Sequence, residues 1–296
     1  MNEIDTVVLN FDSGGLFLLN VILAFIMFGI ALDLKWSNFQ LVFRTPRMLI
    51  IGLTSQLIVL PFMTYLLIEL VNPLPSMALG MILVASCPGG NISNFMSALA
   101  RANVELSIVM TFISSMAALF FTPLNLSVYG QLYGPANEIL RTVELDWLQI
   151  VKTIALIIVI PIIAGKLFSH YWPKLAQKLK RPLRNLSMLA FLLIVIFALL
   201  ANGHFFLEYI GAVFLLVLAH NGLAFLIGYR LSKGFRLERS AVKSITIETG
   251  IQNSGLGLLL IFAFFSGLGG MAVVASWWGI WHIISGFAVA WFFKDR

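Results

Sequence analysis

Charge is scarce in this sequence, and cysteine is nearly missing. Charged residues make up 11% of the 296-residue chain, against about 25% in an average soluble domain. A water-exposed fold could not be covered with so little charge. Cys87 is the single cysteine, which excludes an internal disulfide and any multi-cysteine metal site. His204, His220 and His282 are scattered along the chain, so no transition-metal centre is expected. Residues 1–15, "MNEIDTVVLNFDSGG", hold three acids and no base. They lack the basic start of a signal peptide, and no cleavage is expected.

What is present is apolar. Hydrophobic residues make up 60% of the chain, and the mean hydropathy is +0.96. The chain reads as an integral protein of the lipid bilayer. Its net charge of +6 needs no nucleic acid to explain it, because basic residues collect in the cytoplasmic loops of membrane proteins.

A transmembrane helix takes about 20 mostly apolar residues. By that measure nine spans are expected, near 16–34, 48–70, 76–99, 106–128, 147–168, 186–203, 209–229, 244–265 and 271–293. Loops 35–47, 169–185 and 230–243 are rich in Lys and Arg, and Arg101 and the tail "KDR" join them on one side. Loops 1–15, 71–75, 129–146, 204–208 and 266–270 are acidic or neutral and fall on the other side. The positive-inside rule then puts the N-terminus outside and the C-terminus in the cytoplasm of a cell membrane. No loop is long enough for a soluble domain, so a single transmembrane domain is expected over 1–296.

Two spans differ chemically from the rest. The third contains "CPGGNISN" (87–94) and the eighth contains "IETGIQNSG" (247–255). Pro lacks an N–H and Gly weakens a helix, so neither segment is expected to run straight. Backbone groups freed at membrane depth must meet protein, water or an ion. Taken singly, each segment also reads as a kink with interhelical Ser and Asn contacts. Their positions say more. They lie five spans apart, so they run in opposite directions, each next to last in its half. That pattern fits an inverted repeat, about 16–128 and 147–293, with one helix missing from the first half (4+5). Interrupted segments at matching positions point to the binding site of a secondary transporter.

Glu248 is the one acid well clear of a span end. An acid at mid-span costs about 2.5–3.5 kcal/mol to insert, a cost that a bound cation removes. Snorkelling, or pairing with Lys243, is the alternative. Hard cations choose oxygen ligands. Gln252 lies four residues on, on the same helix face, the loosened backbone at Thr249 and Ile251 offers carbonyls, and Ser93 and Asn94 offer oxygens from the other break. Sodium suits a site with one carboxylate better than calcium does; a proton on Glu248 is the other candidate.

"CPGGNISN" and "ETGIQNSG" resemble the two signature segments of the bile acid:sodium symporter family. "IMFGIALDLKWSNF" (26–39), "HNG" (220–222) and "WHIISG" (281–286) extend the resemblance. It implies an all-α fold with core and panel domains and two discontinuous helices that cross, in the nine-helix form. It also implies two sodium sites. The first would use Ser93, Asn94, Ser107, Thr111 and Glu248. The second would use Gln56, Glu248, Gln252 and the backbone carbonyls at Thr249 and Ile251. Asn91, Asn253, His282 and Ile283 match the substrate region. Asn91 stands where Thr is usual, and Ile283 where bacterial members have Asn. The resemblance therefore names a class of cargo, an organic anion such as a bile acid or small carboxylate, and not the molecule.

Sodium-coupled symport by alternating access is the expected function, with sodium as coupling ion and no organic cofactor. The rivals are a sodium-independent or proton-coupled carrier and, from another class, an intramembrane enzyme using Ser254 or Ser285 with a histidine. No recognisable motif pairs such a nucleophile with a base and an orienting acid. No filter-like loop or ring of charges marks a channel.

Overall fold

The computed structural model describes residues 3–5, 13–34, 36–143, 147–201 and 203–295. Among them every regular element is helical, and the one extended pairing is an isolated antiparallel bridge between Gly89 and Gln252. The first half of the chain holds α1 (Ser13–Asp33), α2 (Trp36–Phe43), α3 (Pro46–Thr54), α4 (Leu60–Val71), α5 (Pro75–Ser86), α6 (Ile92–Leu99), α7 (Val104–Leu132) and α8 (Gly134–Val143). The second holds α9 (Trp147–Ile154), α10 (Ile160–Tyr171), α11 (Pro173–Ala201), α12 (Gly203–Gly234), α13 (Arg239–Gly250), α14 (Ser254–Phe264) and α15 (Gly269–Lys294).

Helix starts follow local chemistry. Proline, whose missing N–H costs nothing at a first turn, opens α3, α5 and α11. The Asn103 side chain accepts from Leu106 N at 2.9 Å to cap α7, and Asn253 accepts from Leu256 N at 3.0 Å to cap α14. Ser76, at the start of α5, gives its N–H and hydroxyl to the Asp5 carboxylate at 2.9 and 2.5 Å. A carboxylate there also meets the positive end of the helix dipole.

A π turn, Ser55–Val59, joins α3 to α4, and another, Ala155–Val159, joins α9 to α10. Pro61 cannot donate to the Leu57 carbonyl four residues back. Asn125 of α7 supplies the missing donor, with Nδ2 2.9 Å from that oxygen. The wide turn carrying Gln56 is thereby tied to α7.

Among the described residues six helical stretches are long and apolar enough to cross a membrane: Gly14–Leu32, Pro46–Val71, Val104–Leu132, Leu148–Tyr171, Tyr209–Gly234 and Gly269–Lys294. The expected spans 76–99 and 244–265, neither of which is expected to run straight, are two helix pairs, α5 with α6 and α13 with α14. The expected span 186–203 lies mostly within α11 and extends to the start of α12, with residue 202 outside the described residues. Several expected loops are also helical. Residues 36–43 form α2, 134–143 form α8, and α11 begins at Pro173 inside the expected 169–185 loop. Polar and basic side chains do not prevent a helix, which satisfies its own backbone groups near the membrane interface. Lys35, Glu144 and Asp146, used in the loop charge pattern, lie outside the described residues.

α5 is buried from Ser76 to Ser86, and α14 from Ser254 to Ile261. Both pack against α15. Gly80 permits the approach of α5, since a Cβ there would come 2.9 Å from the Met271 Cα. α12 packs along α13, while α1 packs on α10 and α11 and also touches α14.

Candidate functional site

The two interruptions meet. The helical ladder stops at Ser86 and resumes at Ile92, and it stops again at Gly250 and resumes at Ser254. Gly90 N donates to Ile251 O at 2.8 Å, and Asn253 N donates to Pro88 O at 2.8 Å. Each break thus replaces part of the hydrogen bonding that the other lost. Glycine is required at this crossing. A Cβ on Gly89 would collide with Glu248 Oε1, and one on Gly90 would lie 3.0 Å from Gln252 O.

Neighbouring side chains take up other freed backbone groups. Thr122 Oγ1 donates to Ser86 O at 2.7 Å, Gly89 N donates to Ser114 Oγ at 3.2 Å, and Asn221 Nδ2 donates to Gly250 O at 2.8 Å.

Glu248 is fully buried, two residues before the second break. Its Oε2 accepts from Ser93 Oγ at 2.6 Å and Ser107 Oγ at 2.8 Å, and its Oε1 accepts from Thr111 Oγ1 at 2.5 Å. Three helices, α6, α7 and α13, therefore converge on one carboxylate. Asn94 Oδ1 stands 3.4 Å from Thr111 Oγ1. All five residues expected for the first sodium site are gathered here. Lys243 is engaged elsewhere, donating from Nζ to Ala100 O at 3.0 Å and Phe293 O at 2.5 Å. Burial of Glu248 also removes snorkelling as an account of it.

The residues expected for the second site surround the same segment. Gln56 Nε2 donates to Glu248 O at 3.0 Å, and Gln252 Nε2 donates to Thr249 O at 2.9 Å. Ile251 O takes the Gly90 N–H. The amide oxygens Gln56 Oε1 and Gln252 Oε1 are buried and have no hydrogen-bond partner. A buried acceptor left unpaired costs about 1–3 kcal/mol. Unpaired oxygens are the ligand type that a hard cation selects.

Beside the crossing lies a cavity of about 460 Å³, into which Asn91, Asn253, His282 and Ile283 all face. Asn91 Oδ1 is buried without a partner. His282 is anchored through Nδ1, which must donate to Trp278 O at 2.6 Å because a carbonyl can only accept. Leu23, Ile26, Leu189 and Leu192 form an apolar wall from α1 and α11. No lysine, arginine or acid lines the cavity among the described residues.

Sequence reasoning missed several members of the site. Ser97 donates to Ser107 Oγ at 3.2 Å, and Ser55 shares a 2.7 Å hydrogen bond with Thr249 Oγ1. Asn185 of α11 joins the cavity wall. Ser97 follows Ser93 by four residues, a same-face spacing that marks it in retrospect. Asn185 carries no such signal. The enzyme alternative loses one of its nucleophiles, because the Ser285 hydroxyl donates to Asn221 Oδ1 at 2.6 Å and not to a histidine.

Membrane-crossing helices, two mutually bonded backbone breaks and a buried carboxylate at their contact define a multi-pass membrane protein with a buried polar site at its centre. The chain belongs to the sodium bile acid symporter family, whose model matches residues 20–209. The family consists of transporters, not enzymes. A Bacillus subtilis protein called an uncharacterized sodium-dependent transporter, YocS, is 32% identical over 278 residues, 94% of this chain and 83% of that protein. The rice protein called probable sodium/metabolite cotransporter BASS1, chloroplastic, is 31% identical over 244 residues, 82% of this chain. Rat sodium/bile acid cotransporter 5 is 31% identical over 247 residues, 83% of this chain. The chain spans 58% of the rice relative's length and 55% of the rat relative's.

Proposed function

We propose that this protein is a sodium-coupled symporter of an organic anion, working by alternating access in a cell membrane. One observation carries the reading. Glu248 is buried where the two breaks meet, beside two unpaired amide oxygens and next to the cavity. Each hydroxyl on Glu248 has one proton and two lone pairs, so Ser93, Ser107 and Thr111 can each turn an oxygen toward a cation. Together with Asn94 and Glu248 they form the first sodium site. Gln56, Gln252, Glu248 and the carbonyls at Thr249 and Ile251 form the second.

The anion binds in the cavity. Among the described residues no lysine or arginine lines the cavity, so the anion's charge is met by amide N–H groups of Asn91 and Asn253 and by the N-terminal end of α6. Its apolar part lies on the wall from α1 and α11. The nine spans form one transmembrane domain of two inverted repeats, about 16–128 and 147–293. α5–α6 and α13–α14 are the crossing discontinuous helices of the core, and α1, α10 and α11 belong to the panel. The N-terminus is outside and the C-terminus cytoplasmic. Sodium and anion each favour one state of the core relative to the panel, so each strengthens binding of the other.

Reconstituted protein should accumulate radiolabelled taurocholate or a small hydroxy- or oxo-carboxylate under an inward sodium gradient and not under a potassium gradient. Glu248→Gln should abolish that uptake while the protein remains folded. Sodium-dependent uptake at the wild-type rate in Glu248→Gln would sink the assignment. Uptake driven by a pH gradient in potassium alone would make the carrier proton-coupled.

A further inference from the structure

Asn221 of α12 is completely buried and uses both ends of its amide. Nδ2 donates to Gly250 O at 2.8 Å, and Oδ1 accepts from Ser285 Oγ of α15 at 2.6 Å. The amide cannot be flipped, because a carbonyl offers no proton to Oδ1. In an unbroken helix the Gly250 carbonyl would receive the N–H of residue 254. Here Ser254 N bonds instead to Gln252 O at 3.0 Å, so Asn221 holds the last carbonyl of α13 in place. Glu248 lies two residues before that carbonyl, and Gln252 two residues after it.

The other end of the chain of bonds reaches the cavity. Ser285 is three residues from His282 and two from Ile283, both on the cavity wall. Gly286 brings the same stretch of α15 against the break. A Cβ there would lie 2.7 Å from Ile251 Cδ1 and 2.9 Å from Met96 Cε. α15 thus touches the cavity, the break and the helix of Ser93 within five residues.

Resting on the sodium-site reading above, we propose that Ser285, Asn221 and Gly250 form a positioning relay between the cavity helix and the sodium sites. Ser285 and Asn221 belong neither to the proposed sodium sites nor to the cavity lining. They set where the Gly250–Gln252 segment lies, and with it the oxygens of Glu248 and Gln252. A shift of α15 on anion binding is passed to the cation sites through the amide of Asn221, and the coupling runs equally in reverse.

The test is a sodium titration of the purified full-length protein by thermal shift, with potassium replacing sodium at constant ionic strength. One hydrogen bond is worth about a threefold to tenfold change in a binding midpoint. Ser285→Ala and Asn221→Leu should raise the sodium midpoint by about that factor, and Ser285→Thr, which keeps the hydroxyl, should stay within twofold of wild type. A purely structural role would lower the melting temperature in potassium and leave the sodium midpoint where it was. That result in Ser285→Ala, the milder variant, overturns the relay. A wild-type protein with no sodium response, identical to Glu248→Gln, overturns the sodium-site reading and the relay with it.

Discussion

Glu248 shows how a buried acid is made tolerable by its neighbours. Three hydroxyls within 2.5–2.8 Å replace much of the hydration it gave up, since hydrogen bonds to a charged group are worth about 1.5–3 kcal/mol each. The proposed ion site is thus partly prepaid by Ser93, Ser107 and Thr111. Thr111→Val keeps the shape and removes the hydroxyl. It should raise the sodium midpoint for uptake by about tenfold or more, with helix content unchanged by circular dichroism. A midpoint within twofold of wild type would remove Thr111 from the ligand set. The i, i+4 spacing of Ser107 and Thr111 is visible in the sequence. That Glu248, more than 130 positions away, accepts from both is a matter of helix crossing, which spacing along one helix cannot reveal.

The broken helices illustrate how irregular backbone survives inside a membrane protein. Gly90 N to Ile251 O and Asn253 N to Pro88 O pair one break with the other, and Thr122, Ser114 and Asn221 supply further partners. These groups are satisfied by protein and not left to lipid, as the apolar phase demands. The interruptions were legible from Pro88, Gly89, Gly90 and Gly250. The bridge between Gly89 and Gln252 was not, because no local pattern records which distant strand of backbone a freed N–H will meet. Gly89 has no space for a Cβ, which would strike the Glu248 carboxylate. Gly89→Ala should therefore abolish the sodium-dependent thermal shift and lower the melting temperature. A variant with the wild-type sodium response would mean that the two breaks are not held this closely.

The whole molecule combines a buried centre, α5 and α14 against α15, with α1, α10 and α11 packed beside it. The cavity lies where these groups meet, with amides from the breaks on one side and leucines of α1 and α11 on the other. The proposed orientation has a direct check. Cys87 is buried, so a membrane-impermeant thiol reagent should leave the wild-type protein unlabelled in intact cells. A cysteine at exposed Asp295 should be protected in intact cells and react after permeabilisation. Labelling of Asp295→Cys from outside would reverse the topology.

Composition and periodicity are enough to establish a helical membrane protein, because apolar length and missing charge act residue by residue against the same solvent. The two polar interruptions, and the acid within one of them, can be read from the chain for the same reason: each is a local exception to an apolar run. The family resemblance added Ser107, Thr111 and Gln56 to the residues expected around Glu248. Contacts across the fold are different in kind. The seating of Gly90 on Ile251, the Asn125 bond to the Leu57 carbonyl, the Asn221 link from α15 to α13 and the entry of Asn185 into the cavity wall each join residues far apart in sequence. They depend on how helices cross and which carbonyls a break leaves free, and those are settled when the elements pack together.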